Sequence, residues 1–159
     1  MRGLSMSAKP DTVPDAALRT GSLRSGTVLA FDFGERRIGV AVGELQVGVA
    51  HPLETIDAEA NDVRFARIEA LVIEWQPALL LVGLPLALDG SEHVLTALAR
   101  RFAQRLHGRY GIETRLVDER LTSVEAELQA RDMGLDVRKA RAKIDQLAAK
   151  LILESYFSQ

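Results

Sequence analysis

The run Ala78-Leu-Leu-Leu-Val-Gly83 limits the possible folds more than any other segment. It is apolar throughout, so neither face suits water, and Pro77 and Gly83 bound it. Such a run reads as a central parallel strand with both faces covered by other elements. Thr27–Phe33 and Arg37–Gly43 read as two more strands joined by a tight Gly-Glu-Arg turn, and Val47–Ala50 is expected to close a meander. Phe65, Ile68, Leu71, Val72 and Trp75 recur at helical spacing, so a helix is expected from a cap at Asp57 to a stop at Pro77. Ser91 is expected to cap a helix reaching about His107, and Ile112–Val117 to form a fifth strand. Helices over Thr122–Met133 and about Arg138–Phe157 complete the chain. Three strands followed by helix–strand–helix–strand predict an α/β fold, a five-stranded mixed sheet with helices on both faces.

At 159 residues this is one domain. Residues 1–26 are rich in Ser, Gly, Pro and Arg without a sustained period, and are expected to form a flexible N-terminal tail ahead of a domain at 27–159. There is no cysteine, which excludes disulfides, thiolate zinc sites and a cysteine nucleophile, and fits a cytoplasmic protein. No apolar run approaches the roughly 20 residues that cross a membrane. The formal net charge is −2, so any nucleic-acid binding must come from local basic patches.

Within VLAFDFGERRIGVAVG, residues 28–43, Asp32 interrupts two apolar runs. It stands at the C-terminal end of the first strand, where open α/β sheets expose ligand sites. Gly34 would let a substrate or metal approach the backbone. Asp and Gly also favour turns for local reasons, so Asp32 alone decides nothing.

In LVDERLTSVEAE, residues 116–127, Thr122 and Glu125 fit a helix capping box. Asp118 and Glu119 precede that cap and stand at the strand end, where capping does not explain them. In the last helix Gln146, Lys150 and Glu154 share a polar face, whereas Asp145 lies on the stripe of Ala148, Ala149, Ile152 and Tyr156 that should meet the sheet. Burying an unpaired carboxylate there is costly. Either a nearby arginine pairs with Asp145, or the small Ala148 and Ala149 bring it close to the strand ends.

Asp32, the 118–119 pair and Asp145 could thus converge on one sheet edge. Clustered carboxylates repel unless cations separate them. Mg²⁺ takes oxygen ligands, keeps waters and bridges to phosphate, and two such ions about 4 Å apart would activate water and stabilise a leaving oxygen. Arg138, Lys139, Arg141 and Lys143 adjoin this site and suit a phosphate backbone. Arg100, Arg101, Arg105, Arg109 and Arg115 are expected to form a solvated face, and His51, His93 and His107 show no ligand spacing.

Four blocks in order, DFGERRIGVAVG, VGLPLALDGSE, VDERLTSVEAE and IDQLAAKLILESYF, resemble the YqgF (RuvX) family of Holliday junction resolvase-like proteins, proposed to be pre-16S rRNA nucleases. The resemblance runs from about Gly26 to Phe157. It implies an RNase H-like fold with strand order 3-2-1-4-5 and a nuclease site dependent on Mg²⁺ or Mn²⁺. By matching motif, Asp32, Glu119 and Asp145 would be the catalytic, metal-binding triad, with Asp118 a further ligand. Gly83, Leu84 and Pro85 would shape a loop near the substrate, and Arg37 joins the substrate side by position, without a defined role.

Ser123, Ala87 and His93 depart from residues common in the family, which bears on loop detail and substrate preference rather than on the acids. The implied partner is precursor rRNA, with branched DNA and the ribosome as further candidates. The implied state is monomer or weak homodimer. Two other readings stay open from the residues. An actin-like ATPase would need a second domain and a second phosphate loop, and a non-catalytic ribosome-assembly factor would not need the acids.

Overall fold

The computed structural model describes residues 23–87, 89–119, 131–132, 134 and 137–159, the side chains of the last segment from residue 142 onward. Strands β1 (Thr27–Asp32), β2 (Arg37–Glu44) and β3 (Ala50–Asp57) lead into helix α1 (Asn61–Trp75). Strand β4 (Leu79–Leu84), helix α2 (Val94–Tyr110), strand β5 (Glu113–Asp118) and helix α3 (Val137–Phe157) follow. The sheet order is β3-β2-β1-β4-β5. β1 pairs antiparallel with β2 and parallel with β4, and β5 runs parallel to β4. The mixed sheet and its order match expectation.

Strand alternation divides the interior into two layers. Leu29, Phe31, Ile38, Val40, Leu80 and Val82 meet Phe65, Ile68 and Leu71 of α1 and Phe102 and Leu106 of α2. On the other face Val28, Ala30, Ala41, Leu79, Leu81 and Val117 meet Ala149, Ile152 and Leu153 of α3. Leu79, Leu80, Leu81 and Val82 have no exposure, because β4 lies between two strands and beneath helices on both sides.

α3 lies against the sheet because β2 offers it almost no side chains. A Cβ at Gly39 would stand 1.9 Å from the Asp145 carbonyl oxygen, and one at Gly43 would stand 3.1 Å from both Leu153 Cδ2 and Phe157 Cε2. Ala148 and Ala149 are fully buried on the helix side of this contact. The close approach expected from the two alanines therefore also needs Gly39 opposite them.

Several local expectations are corrected. The third strand does not cover Val47–Ala50 but begins at Ala50 and runs to Asp57. Val47 and Val49 belong to the β2–β3 connection, where Gly48 turns the chain at φ +73°. Pro52 obscured this strand, yet an edge position tolerates a residue without an N–H. Asp57 consequently ends β3 opposite Arg37 and does not cap α1, whose N-cap is Ala60. α2 starts at Val94, not after Ser91. The Ser91 N–H donates to Asp89 Oδ1 in the preceding turn, and the His93 N–H donates to Thr96 Oγ1 at the helix start. Of the helix expected over Thr122–Met133, Arg131 and Asp132 are helical and the rest, with its capping box and Ser123, lies outside the described residues, as do residues 1–22 of the tail expected over 1–26. No described helix is long and apolar enough to cross a membrane.

Candidate active site

Asp32 is the last residue of β1, and alternation places it on the α3 face with Val28 and Ala30. Its register partner on β2 is Gly39, the position over which the Asp145 backbone rests. That stacking brings a residue from the final helix to the C-terminal end of the first strand. On the other side β4 pairs Phe31 with Val82, so Gly83 is next in line beside Asp32.

Glu119 follows β5 directly, its N–H donating to the Leu84 carbonyl across to β4. Its carboxyl lies over Gly83: a Cβ there would stand 2.3 Å from Glu119 Oε2 and 2.5 Å from Ile152 Cδ1. Gly83 is therefore the seat of the Glu119 carboxyl, a more specific place than the loop-shaping role implied by the family. Glu119 Oε2 is buried and has no hydrogen-bond partner.

Asp32 and Glu119 share a hydrogen bond with Glu119 as the donor. Burial raises the Asp32 carboxyl far above the usual carboxylate range; the bond from Glu119 pulls it partly back, and the charge of Asp145 raises it again. Glu119 is raised further, first by burial, then by the Asp32 charge, by its donated proton, and by Asp118. Two buried acids this close retain a proton between them at neutral pH until a cation replaces it.

Asp145 stands near enough for Asp32 to feel its charge, but its Oδ2 is taken up by Arg37, whose Nε donates to it at 2.7 Å. Arg37 begins β2 on the same face as Gly39. Both outcomes expected for Asp145 hold together: it approaches the strand ends, and an arginine pairs with it. Among the described residues, no three acidic or imidazole groups converge as a ready-made metal shell. The structure thus joins Asp32 to Glu119 and leaves Asp145 beside them in a salt bridge.

Asp118 ends β5 opposite Leu84, one residue beyond Val117, so alternation turns it toward the opposite face of the sheet from Val117. It has an interaction of its own and bears on the pair through its charge. Gly34 is in the β1–β2 turn, and Pro85 follows β4 with its carbonyl accepting from the buried Thr96 hydroxyl. Lys143 is exposed on the first half of α3, while the side chains of Arg138, Lys139 and Arg141 lie outside the description. In the second basic group Arg100 pairs with Glu92, Arg109 stacks over Phe65, and Arg115 bonds Glu113 and the Tyr156 hydroxyl. Those three are engaged with the protein's own surface.

One residue near the site escaped the sequence. Arg64 of α1 is 3% exposed, donates to the Gly34 and Ala58 carbonyls, and lies over the Phe33 ring. It ties the turn after Asp32 to the loop before α1. A charged residue on the buried stripe of an amphipathic helix was the available signal.

The family model for RuvX, described as a Holliday junction resolvase, matches residues 26–159. The chain belongs to the RuvX family. A relative in Methylobacillus flagellatus, named as a candidate pre-16S rRNA nuclease, is 58% identical over 83% of this chain and 90% of its own. One of the same name in Escherichia coli O157:H7 is 51% identical over 85% of this chain and 98% of its own. Among solved structures, T. thermophilus RuvC in complex with a Holliday junction substrate aligns with a TM-score of 0.50 at 18% identity, over 83% of this chain and 93% of the other. The yeast mitochondrial resolvase Ydc2 aligns with the same TM-score at 9% identity, over 90% and 82%. These structural matches establish that this RuvX chain has the RNase H-like fold.

Proposed function

We propose that this protein is a metal-dependent nuclease that hydrolyses phosphodiester bonds in precursor 16S rRNA, at the sheet edge formed by Asp32, Glu119 and Asp145, in the cytoplasm. The observation that carries the site is the Glu119 carboxyl seated over Gly83 beside Asp32, with Oε2 buried and unpartnered. A buried acidic oxygen without a partner is costly unless something binds it. Hard oxygen donors at a half-buried edge suit Mg²⁺ or Mn²⁺, which accept one or two carboxylates and complete their shell with water and phosphate oxygens. The Asp32–Glu119 pair fits that cation, and Asp145, here paired with Arg37, is its candidate third ligand, with Asp118 supporting by charge. When bound, the cation supplies an activated water and neutralises charge on the leaving oxygen.

The chain's own residues prepare this. Asp32 and Glu119 are held by β1 and β5, with Gly83 fixing the depth of Glu119. Gly39 brings Asp145 to the same edge. Gly34 does not leave the backbone open beside Asp32 as expected, since a Cβ there would stand 2.5 Å from the Arg37 carbonyl oxygen and its own carbonyl accepts from Arg64. Lys143 of α3, with Arg138, Lys139 and Arg141 before it in sequence, supplies the charge that holds a phosphate backbone. A cut in one RNA strand needs one such site, so a monomer suffices.

The names of the relatives support RNA as the substrate, and the family description supports branched DNA as the alternative. Cleavage of a precursor 16S rRNA 5′ segment beside a four-way DNA junction, each with Mg²⁺ or Mn²⁺, separates them. Faster cutting of the RNA is expected. Cutting of the junction alone would assign the site to DNA, and binding of either without cutting would make the protein an assembly factor.

A further inference from the structure

We propose that Arg37 is an internal counter-ion that occupies Asp145 in the metal-free protein and, once a divalent cation takes that carboxylate, turns to the phosphodiester being cut. This rests on the nuclease reading above and goes beyond it by giving one residue two successive partners. The geometry supplies the first partner: Arg37 Nε donates to Asp145 Oδ2 at 2.7 Å, with the two side chains 29% and 19% exposed. The rest of the site explains why the pair matters. Asp32 and Glu119 already share a hydrogen bond, whereas no third acid among the described residues joins them in a metal-holding group. Asp145 is placed to do so, since its charge reaches Asp32 and its backbone rests on Gly39, the register partner of Asp32.

Release does not require the helix to move. The Asp145 backbone is pinned on Gly39, so the exchange takes place in two side chains that both retain access to solvent. A guanidinium released from one carboxylate takes the next anion at the site. For a nuclease that anion is a phosphate, whose oxygens fit the guanidinium fork.

A salt bridge that merely braces Asp145 makes the opposite prediction for metal affinity, and that difference in sign is the test. Isothermal titration of Mn²⁺, without nucleic acid, is compared for wild type, Arg37→Met, Arg37→Lys and Arg36→Met, with melting in EDTA as the check on folding and Arg37→Gln replacing Met if that variant does not fold. Removing one positive charge next to a divalent site should tighten Mn²⁺ binding by roughly tenfold. Arg37→Lys should stay near wild type. Arg36→Met should change affinity less than about twofold, because Arg36 is largely exposed and pairs with Glu59 at 3.5 Å instead.

At saturating metal, Arg37→Met should nevertheless cut RNA at least about tenfold more slowly, with Arg37→Lys recovering part of the rate. Weaker or unchanged Mn²⁺ binding by Arg37→Met overturns the proposal, as does tighter binding with an undiminished cutting rate. If wild type binds no Mn²⁺ at all, the metal-dependent reading itself fails and the exchange with it. If Mn²⁺ binds and depends on Asp32, that reading stands whatever Arg37 does.

Discussion

Replacing Gly83 by alanine should slow catalysis roughly 100-fold in a protein that still folds. The added Cβ would stand 2.3 Å from Glu119 Oε2, 2.5 Å from Ile152 Cδ1 and 2.7 Å from Glu119 Cδ. Ordinary contact needs about 3.5 Å, so both Glu119 and Ile152 must retreat by about 1 Å. Ile152 is fully enclosed by the α3 layer, whereas Glu119 ends in a flexible carboxyl with no partner on Oε2. Ile152 yields only by repacking its layer, and Glu119 is the group that swings out of position. Mg²⁺ holds its ligands near 2.0–2.1 Å and tolerates little distortion, and a displacement of about 1 Å at a reacting centre costs roughly 100-fold in rate.

Overpacking of this kind costs about 1–3 kcal/mol, or roughly 3–10 °C in melting temperature for a chain of this size. Single-turnover cleavage at saturating Mg²⁺, with melting measured in parallel, separates the two effects. Glu119→Asp in the Gly83→Ala background shortens the acid and should recover part of the lost rate. A folded Gly83→Ala protein that cuts within about twofold of wild type would refute the seating of Glu119 over Gly83.

Gly39→Ala should be worse for folding than Gly83→Ala, because its Cβ would meet the Asp145 carbonyl oxygen at 1.9 Å and backbone cannot step aside; a loss of about 3 kcal/mol or more in urea unfolding is expected, or no soluble protein. Arg64→Met should leave the Gly34 and Ala58 carbonyls without their donor, costing about 2–4 kcal/mol in the same measurement. Without metal, Asp32 and Glu119 carry raised pKa values when folded, so the folded state binds more protons than the unfolded one. Their contribution to stability is then complete below the ordinary carboxylate range and lost as pH rises through the raised values, about 7 for Asp32 and about 10 for Glu119, so melting in EDTA should fall from about pH 5 toward pH 10. Asp32→Asn should flatten that dependence, and added Mg²⁺ should reverse it.

The three candidate acids stood out in the sequence because each broke a pattern that its neighbours kept. Asp32 ended an apolar run, Glu119 followed a strand, and Asp145 stood on a helical stripe that should have been apolar. The helical phase also put Ala149 against the sheet, where it is. Arg37 as the partner of Asp145 was not legible, because helical phase gives a side chain's direction on its own helix but not which residue of β2 the helix crosses. That crossing is set by Gly39, a residue with no side chain to signal it. The contact of Gly83 with Glu119 was hidden for a similar reason, since Glu119 lies outside any strand and its reach across to β4 depends on the backbone after β5.

The strand at Ala50–Asp57 was obscured by Pro52 and by an Asp57 that resembles a helix cap, both of which an edge strand accommodates. Ser91 was a better cap by residue type than His93, but the turn held by Asp89 uses it first. Arg64 was hidden in a helix whose other buried positions are apolar.

The central claim is that the Asp32–Glu119 pair, completed by Asp145, holds the divalent cation that cuts the phosphodiester. Single-turnover cleavage of a precursor 16S rRNA 5′ segment by wild type and Asp32→Asn, each with Mg²⁺ and with EDTA, tests it most directly. Wild type should cut only with Mg²⁺, and a folded Asp32→Asn should lose at least about 1,000-fold under the same conditions. Cutting by wild type in EDTA, or by Asp32→Asn within a few-fold of wild type, would contradict the account.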